Sequence, residues 1–509
     1  MTSYHTAQEC WSKLDGERQT MLRRFERYAA LTIPKVCYQD EIVPEDTDDQ
    51  HDYQSLGAQG TNHLTNKMML ALFAPSRPFF RADAGPDVKR ELAEAGMTET
   101  QIVAALGQVE RDSAAELDRR AQRPKLYTTL RHLIVVGNVL QILDDKKEAI
   151  RVIGVKRWCV KRNVEGKVQT LIVRECVKFG ELEDAVQAAV ADLGCQPEDK
   201  VEFYQWLKLV DGKYSMTQWV KDKQLPVEFN GDWPEASCPY RVLTWDLADE
   251  SDYGTGLVEE YSGDIEAMSV LSEAIVNGGV LAAEFRWLLN PAGLTSAEEF
   301  QNSENGAVIP GKESDLQSVQ GGPNPNALQM VQAVLDKYER RVAQGFLMNS
   351  AVIRDAERVT AEEIRMTAQE LETAFGGVYS SLASSLQTPI AYWLMRAIKV
   401  PKGLDLRITA VTGLEALSRN GDLDRLLQAL EIFGKVAALP PQVLDRMEWK
   451  PFSDYVGNGV GIDLSPFFKT EEQYQQFLAA NRAQAVQTNN AMEAGKAGAQ
   501  AAAQGATQQ

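Results

Sequence analysis

The sequence has little of what several protein classes require. Six of its 509 residues are cysteine and four are histidine. No two cysteines form a CxxC pair, so neither a disulfide framework nor a zinc motif is indicated, and we expect reduced, mostly buried thiols. No run approaches the roughly 18 apolar residues of a membrane span, and the N-terminus lacks a signal sequence. We therefore expect a protein made in the cytoplasm, with no metal and no membrane partner.

Motifs of the common catalytic classes are also missing. The sequence contains no GxxxxGK[ST] phosphate loop, no HExxH and no GxSxG, which excludes the corresponding ATPases, metalloproteases and hydrolases. The run 254-GTG-256 begins like a dinucleotide fingerprint but lacks the third glycine, and 457-GNGVG-461 is interpreted as a turn. We predict no catalytic residue and no cofactor. A hydrolase or transferase with an unrecognised site remains an alternative.

Positive charge is scarce as well. The 53 Lys and Arg residues against 72 Asp and Glu give a formal net charge of -19 at pH 7. Proteins that coat DNA neutralise its phosphates with clustered Lys and Arg, so this class is disfavoured. An acidic wall repels phosphates, which suits a protein past which DNA slides without adhering.

Hydrophobic periodicity predicts an α+β fold that is predominantly helical. Apolar residues recur at helical spacing in four segments of the first part of the chain: about 7–31, 56–74, 86–121 and 126–140. Between about 150 and 245 the period changes to two, with a hairpin-type turn at 163-NVEGK-167. A mixed α/β body over 1–250 follows, with most of its sheet in the second half.

The middle of the chain predicts two helices that flank an irregular module. Apolar stripes run over 256–283 and 327–346, and breakers such as 290-NPAGL-294 and 321-GGPNPN-326 lie between them. This arrangement fits a hairpin-like projection, and equally two core helices of an ordinary α domain.

A long helix is predicted to follow, over about 360–398. Thr360 and Glu363 form a capping box at its start, and Gly376-Gly377 and Pro389 predict bends inside it. Residues 401–470 are predicted to form a further, mostly helical unit. The Ala/Gln-rich stretch 471–509 has too little apolar bulk to pack and is predicted to be a flexible tail.

Several stretches closely resemble one protein family. They are 130-LRHLIVVGNVLQ-141, 253-YGTGLVEEYSGDIEAMSVLSEAIVNGG-279, 289-LNPAG-293 and 346-FLMNSAVIRDAERVTAEEIRMTAQELETAFGGVYSSLASSLQTPI-390. The family is that of the portal, or head-to-tail connector, proteins of short-tailed, podovirus-type bacteriophages. The resemblance extends over about 1–470 and is most specific in 346–390.

The resemblance implies a ring, usually a dodecamer, at one vertex of the capsid. Viral DNA passes through such a ring during packaging and ejection, and the terminase motor and tail proteins dock on it. The regions implied, in chain order, are a wing (1–250), a first stem helix (251–285), a clip (286–325), a second stem helix (326–346), a channel loop (347–359), a long bent wing helix (360–400), a crown (401–470) and the tail (471–509).

The resemblance also nominates residues for two roles. The candidates for contact with DNA in the channel are Lys337, Arg340, Arg341, Asn349, Arg354 and Arg358. The candidates for contact with partners at the clip are the acids expected to be exposed there, Glu298, Glu299, Glu304, Glu313 and Asp315. Surface or intersubunit salt bridges are an equal alternative for Arg340 and Arg341, and a solvated face is an equal alternative for the clip acids.

The partners implied are further copies of the chain, double-stranded viral DNA, terminase, a tail adaptor or nozzle, and scaffolding, major capsid and internal core proteins. The location implied is the virion, assembled in the host cytoplasm. A capsid scaffolding or adaptor protein without a channel remains the alternative from another class.

Overall fold

The computed structural model describes residues 5–38, 53–75, 78–94, 96–283, 285–320, 325–348, 361–398, 406–410, 430–436, 451–453 and 455–456. The chain divides into two compact units, one of residues 1–96 and 104–414 and the other of residues 97–103 and 415–509. The first unit contains the candidate site and every sheet found in the described residues. In the second unit, residues 430–436 and 451–453 are helical, and Phe433 packs edge-on against Phe452.

Helices and strands are mixed along the described chain, which confirms the predicted α+β class. The helices are α1 (Ala7–Ala30), α2 (Leu56–Leu72), α3 (Pro86–Glu94), α4 (Glu99–Arg119), α5 (Arg123–Val136), α6 (Asp184–Ala189), α7 (Leu257–Ala283), α8 (Ala297–Asn302), α9 (Pro325–Gly345), α10 (Ala361–Phe375) and α11 (Gly377–Ala397). The strands are β1 (Phe80–Ala84), β2 (Asn138–Asp144), β3 (Ala149–Ile153), β4 (Trp158–Arg162), β5 (Val168–Lys178), β6 (Lys200–Val210), β7 (Lys213–Val220), β8 (Lys223–Gln224), β9 (Gly231–Pro234), β10 (Tyr240–Thr244), β11 (Phe285–Leu289), β12 (Leu316–Gln320) and β13 (Leu406–Ala410).

One predicted helix is divided in two, and another ends at the glycine near which its end was expected. The single helix predicted over 86–121 is two helices, α3 and α4, and Gly96 with φ +86° lies in the turn between them. The helix predicted over about 126–140, with its end expected near Gly137, ends at Val136, because Gly137 adopts φ +72° and closes the last turn by donating its N–H to Leu133 O. Residues 138–140 belong to β2 instead.

The largest sheet is antiparallel and has the strand order β4-β5-β6-β7-β8, with β9 paired to β7. The hairpin predicted at 163–167 is confirmed, since Asn163 donates its N–H to Lys167 O at 2.9 Å. Helix α1 covers one face of this sheet. Its Trp11 joins Ile172 and Trp206 in a buried cluster, and the guanidinium of Arg174 lies 4.5 Å from the Trp11 ring.

A second, three-stranded sheet has the order β10-β2-β3. Its strand β2 begins in close contact with the residues that precede α7. The buried amide of Asn138 donates to Gly254 O and accepts from Gly254 N–H, at 2.6 and 2.8 Å. A Cβ on Gly256 would lie 2.7 Å from Gly137 N. The glycines of 254-GTG-256 are therefore required by backbone packing at the start of α7, and the nucleotide interpretation has no support here.

The long helix predicted over 360–398 consists of two helices. They are separated at Gly376, whose φ is +48°, so the bend expected at Gly376-Gly377 is confirmed as a break. Pro389 lies inside α11, which continues past it to Ala397. Thr360 lies outside the described residues, and the contacts of the Glu363 side chain are likewise not described, so the capping box stays a prediction.

The boundary predicted at residue 401 is wrong. Strand β13 (406–410) pairs antiparallel with β1, with Phe80 opposite Ala410, and both strands belong to the first unit. Residues 406–410 are thus a strand of the first unit and not the beginning of a separate helical unit. Most of 411–470, and all of 471–509, lie outside the described residues.

Candidate functional site

Helices α7 and α9 form an antiparallel pair that carries a small module at one end. Leu335, Val342 and Phe346 on one side of α9 are buried, and the rings of Phe346 and Tyr261 are 5.7 Å apart. Arg341 on α9 donates to Asp264 on α7 at 2.9 Å. The order of helix, module and helix agrees with the sequence prediction, and α9 begins at Pro325. That the pair forms a projection stays a prediction.

The two halves of this helix pair differ in charge. The half farther from the module contains Glu259, Glu260, Asp264 and Glu266 of α7 and Asp336 to Arg341 of α9. The half nearer the module, residues 267–283 and 325–335, contains one charged residue, Glu273. We call this nearer half the uncharged half.

Large apolar side chains are exposed on the uncharged half. On α7, Val270, Val276, Val280 and Leu281 are 60%, 49%, 58% and 50% exposed. On α9, Met330 is 71% exposed. Single exposed apolar residues are ordinary on a protein surface, but several of them on two paired helices indicate an interaction surface.

The module at the end of the pair is built on the hairpin of β11 and β12. Phe285 pairs with Gln320, so the two strands start where the helices end. Trp287 on β11 packs edge-on against Phe300 of α8, with ring centroids 5.2 Å apart. Because Trp287 is itself 48% exposed, this ring contact packs the module only in part.

Asp315 is not the exposed acid that the sequence suggested. It is only 4% exposed, and its Oδ2 accepts from the N–H groups of Leu294 and Lys312, each at 3.1 Å. Its carboxylate satisfies backbone donors of the loops that close the module, so it has a structural role. The expectation that Asp315 is an exposed acid of the clip is therefore wrong.

The other four predicted acids, Glu298, Glu299, Glu304 and Glu313, are exposed. Four large apolar side chains of the same module are also exposed: Trp287, Leu288, Leu294 and Val308, at 48%, 55%, 74% and 100%. The surface of the module thus combines acids with apolar groups. Their contact with partners stays a prediction.

The basic channel candidates fall into three groups. Lys337 and Arg340 are exposed and lie on the side of α9 opposite Leu335 and Val342. Arg341 pairs with Asp264 and stacks on Tyr338 at 4.5 Å, which agrees with the salt-bridge alternative, although here within one chain. Asn349, Arg354 and Arg358 lie outside the described residues.

The C-terminal end of α9 contains a buried cationic contact that sequence reasoning missed. The ammonium of Lys67 on α2 donates to Leu347 O at 2.8 Å and to Glu370 Oε2 at 2.9 Å. Lys67 is 1% exposed. A signal was available, because Lys67 is the only Lys, Arg, Asp or Glu of the apolar helix α2.

The described part of the chain lacks two features that are typical of other protein classes. There, no group of His, Cys, Asp and Glu residues has an arrangement that could hold a metal ion, and no helix is long and apolar enough to cross a membrane. Four of the six cysteines are buried, as expected. Burial raises the pKa of the Cys10, Cys37 and Cys159 thiols to about 12, which keeps them protonated and unreactive.

Comparison with known proteins agrees with the earlier resemblance. The model of the bacteriophage head to tail connecting protein family matches residues 4–467. The portal proteins of Enterobacteria phage SP6, Enterobacteria phage T3 and Escherichia phage T7 are 33%, 31% and 30% identical to this chain. The alignments cover 94%, 97% and 95% of this chain and 92%, 93% and 92% of the relatives.

Among solved structures, a chain from the neck of an empty gene transfer agent particle aligns with 81% of this chain and 90% of its own length, at 13% identity. Its TM-score of 0.39 is too low to support an argument. The family match and the three sequence relatives are sufficient without it. They confirm the predicted connector function and a structural role. The chain belongs to the head to tail connecting proteins of bacteriophages.

Proposed function

We propose that copies of this chain close into a ring at one vertex of the capsid, and that the ring is the channel through which viral DNA is packaged and ejected. The observation that best supports this proposal is the exposure of apolar side chains on the uncharged half of the α7/α9 pair. These side chains are Val270, Val276, Val280, Leu281 and Met330. An apolar surface of this kind is stabilised when another protein surface removes it from water.

A second copy of the chain is the partner that this surface fits. One chain presents apolar side chains from both helices, so one copy can place its α7 surface against the α9 surface of the next. Contacts between two different surfaces of identical chains are head-to-tail, and they form a ring when the rotation between neighbours closes. The relatives' name, portal protein, supports the same arrangement, and a dodecamer is the size that we propose.

The charges support a channel through which DNA moves without strong adhesion. The chain carries a formal charge of -19, so repeated copies repel phosphates over most of the wall. Lys337 and Arg340 are exposed on α9, and Arg354 and Arg358 belong to the proposed channel loop. Rings of these cations supply weak phosphate contacts that salt screens and that do not depend on DNA sequence.

The remaining regions are proposed to serve docking. The module of residues 286–325 is the clip, which meets the terminase during packaging and a tail adaptor or nozzle afterwards. Its exposed Glu298, Glu299, Glu304 and Glu313, together with Leu288, are the contacts we propose. The wing, 1–250, and the crown contact scaffolding, major capsid and internal core proteins in the virion, which is assembled in the host cytoplasm.

The mass of the purified chain tests the ring. Multi-angle light scattering is expected to give about twelve times the subunit mass of 56.5 kDa, and negative-stain images are expected to show an open centre. A monomer at all concentrations refutes the proposal. An assembly without a central hole favours a scaffolding or adaptor protein instead.

A further inference from the structure

We infer that Lys67 is the positioning residue of the proposed channel loop, holding the turn at Leu347 from which that loop leaves α9. The inference rests on the proposed function for the role of the loop, whereas the contacts are those of the described residues. Lys67 is buried at the junction of α2, α10 and the end of α9. Neither the family match nor the names of the relatives assign a role to it.

The turn that Lys67 holds is a strained one. The N–H groups of Leu347 and Met348 donate to Gln344 O and Ala343 O, at 3.0 and 2.8 Å. This is the hydrogen-bond pattern of a Schellman motif, which requires a left-handed residue just after the helix. Leu347 occupies that position with φ +55°, although glycine is the residue that adopts such a conformation without strain. Contacts from elsewhere must therefore keep the turn in place.

Two side chains of α2 provide those contacts at the carbonyl of Leu347. Lys67 Nζ donates to Leu347 O at 2.8 Å, and His63 Nε2 lies 3.2 Å from the same oxygen. A carbonyl oxygen only accepts, so the His63 ring donates from Nε2. Burial first, and then the charge of Lys67, lower the pKa of His63, so its ring is neutral beside the ammonium.

The contact between α2 and the end of α9 is also close sterically. A Cβ on Gly60 would lie 2.9 Å from Cγ of Phe346, so a glycine there allows Phe346 to pack directly on α2. Gly60, His63 and Lys67 follow one another at helical spacing along the same side of α2. Phe346 anchors the helix end by burial, and the two polar side chains then fix its last carbonyl.

Lys67 also connects the two helices that flank residues 349–360. Its ammonium bridges Leu347 O, after α9, to the carboxylate of Glu370 on α10. The Glu370 side chain is 33% exposed, whereas that of Lys67 is 2% exposed. The ammonium thus contacts the turn at Leu347 directly, and through Glu370 it contacts the middle of the helix that follows the intervening segment. A buried ammonium is stable only with such partners, and hence the turn and the cation stabilise each other.

Amide hydrogen exchange in Lys67→Met tests this inference. Methionine keeps the length and the apolar stem of lysine and lacks the donor. We expect peptides that contain Leu347 and Met348 to exchange about tenfold faster or more, because the turn then opens locally. The matched control is Lys156→Met, which removes a partly buried lysine paired with Glu26 at 2.6 Å and should leave this exchange unchanged. Exchange in Lys67→Met within twofold of the unmodified chain overturns the inference.

A rescue separates loss of the turn from general loosening of the junction. Adding Leu347→Gly to Lys67→Met should bring exchange at Met348 back to within about threefold of its original rate, since glycine adopts φ +55° without strain. Absence of any rescue overturns the positioning role. If Lys67→Met does not fold, His63→Leu removes the second donor and should accelerate the same exchange about threefold; an unchanged rate there also overturns it.

Retention of DNA tests the consequence for the channel loop. Heads assembled with Lys67→Met rings are expected to retain at least about threefold less DNA than heads with Lys156→Met rings, because the loop no longer starts from a fixed turn. Equal retention overturns the link between Lys67 and the loop. The exchange measurement needs no ring, so a chain that never assembles refutes the proposed function and still leaves the exchange result to decide the role of Lys67.

Discussion

Introducing charge on the uncharged half of α7 should abolish ring assembly without unfolding the chain. Val276 and Val280 are 49% and 58% exposed in the single chain. Lysine at these positions is tolerated there, since it has a helix propensity at least as good as that of valine. In the proposed ring the same side chains are covered, so the double variant Val276→Lys, Val280→Lys should affect assembly selectively.

The expected loss of association energy follows from these exposures. Burying a whole valine contributes about 1.5 to 3 kcal/mol, so covering the exposed half contributes about 1 kcal/mol per residue and about 2 kcal/mol per copy. That alone lowers the association constant of each contact about 30-fold. An ammonium buried there without a partner costs several kcal/mol more, unless the lysine stem carries it to the edge of the contact.

Light scattering across a range of concentrations measures this effect. The double variant should remain monomeric at concentrations where the unmodified chain forms rings, with an unchanged circular dichroism spectrum. The matched control is Val164→Lys with Val227→Lys, the same replacement at positions 90% and 80% exposed in the first unit away from α7. Rings of normal size from the α7 variant would show that this surface is not the contact between subunits.

Three further predictions concern the body and the loop. Asn138→Ala removes three hydrogen bonds of 2.6 to 2.8 Å to Val136 O, Gly254 O and Gly254 N–H, so thermal denaturation should show a loss of about 3 kcal/mol, while Asn302→Ala on the exposed surface changes nothing. Burial lowers the pKa of His132 from 6.5 to about 4. As the pH falls, the unfolded chain therefore takes up a proton on this residue at a higher pH than the folded chain does. Stability should therefore fall by about 3 kcal/mol as pH drops from about 6.5 to about 4, and His132→Gln should remove that pH dependence in urea titrations. Replacing Arg354 and Arg358 by Ala should preserve rings but impair packaging or retention of DNA, and normal packaging would remove their proposed role.

Local signals in the sequence predicted the elements whose causes are local. The stripes of α7 and α9 predicted both helices to within about two residues, because burial of one helix face depends on spacing alone. The break at Gly376 follows from glycine's freedom at positive φ. The pairing of β1 with β13 could not be predicted this way, since it joins Phe80 to Ala410 across most of the chain.

Polar residues were the hardest to assign from sequence. Asp315 was interpreted as an exposed acid because it lies in a loop with other acids, yet it satisfies the backbone N–H groups of Leu294 and Lys312. Lys67 was overlooked because a lysine is rarely buried without a partner, and its partners Leu347 and Glu370 are about 280 and 303 residues away. In both cases the missing information was a long-range or loop contact, which periodicity does not contain.

The distribution of charge along the α7/α9 pair separates two demands on a DNA channel. Subunits must adhere to one another, and DNA must not adhere to the subunits. In the proposed ring, apolar contact through residues 267–283 and 325–335 supplies the first, because such contact is independent of the phosphates and weakly affected by salt. The other half contains Lys337 and Arg340 next to Asp336 and Glu339, so each cation is partly offset by an acid. If this surface faces DNA as proposed, its mixed charges attract phosphates only weakly, which suits movement through the proposed ring.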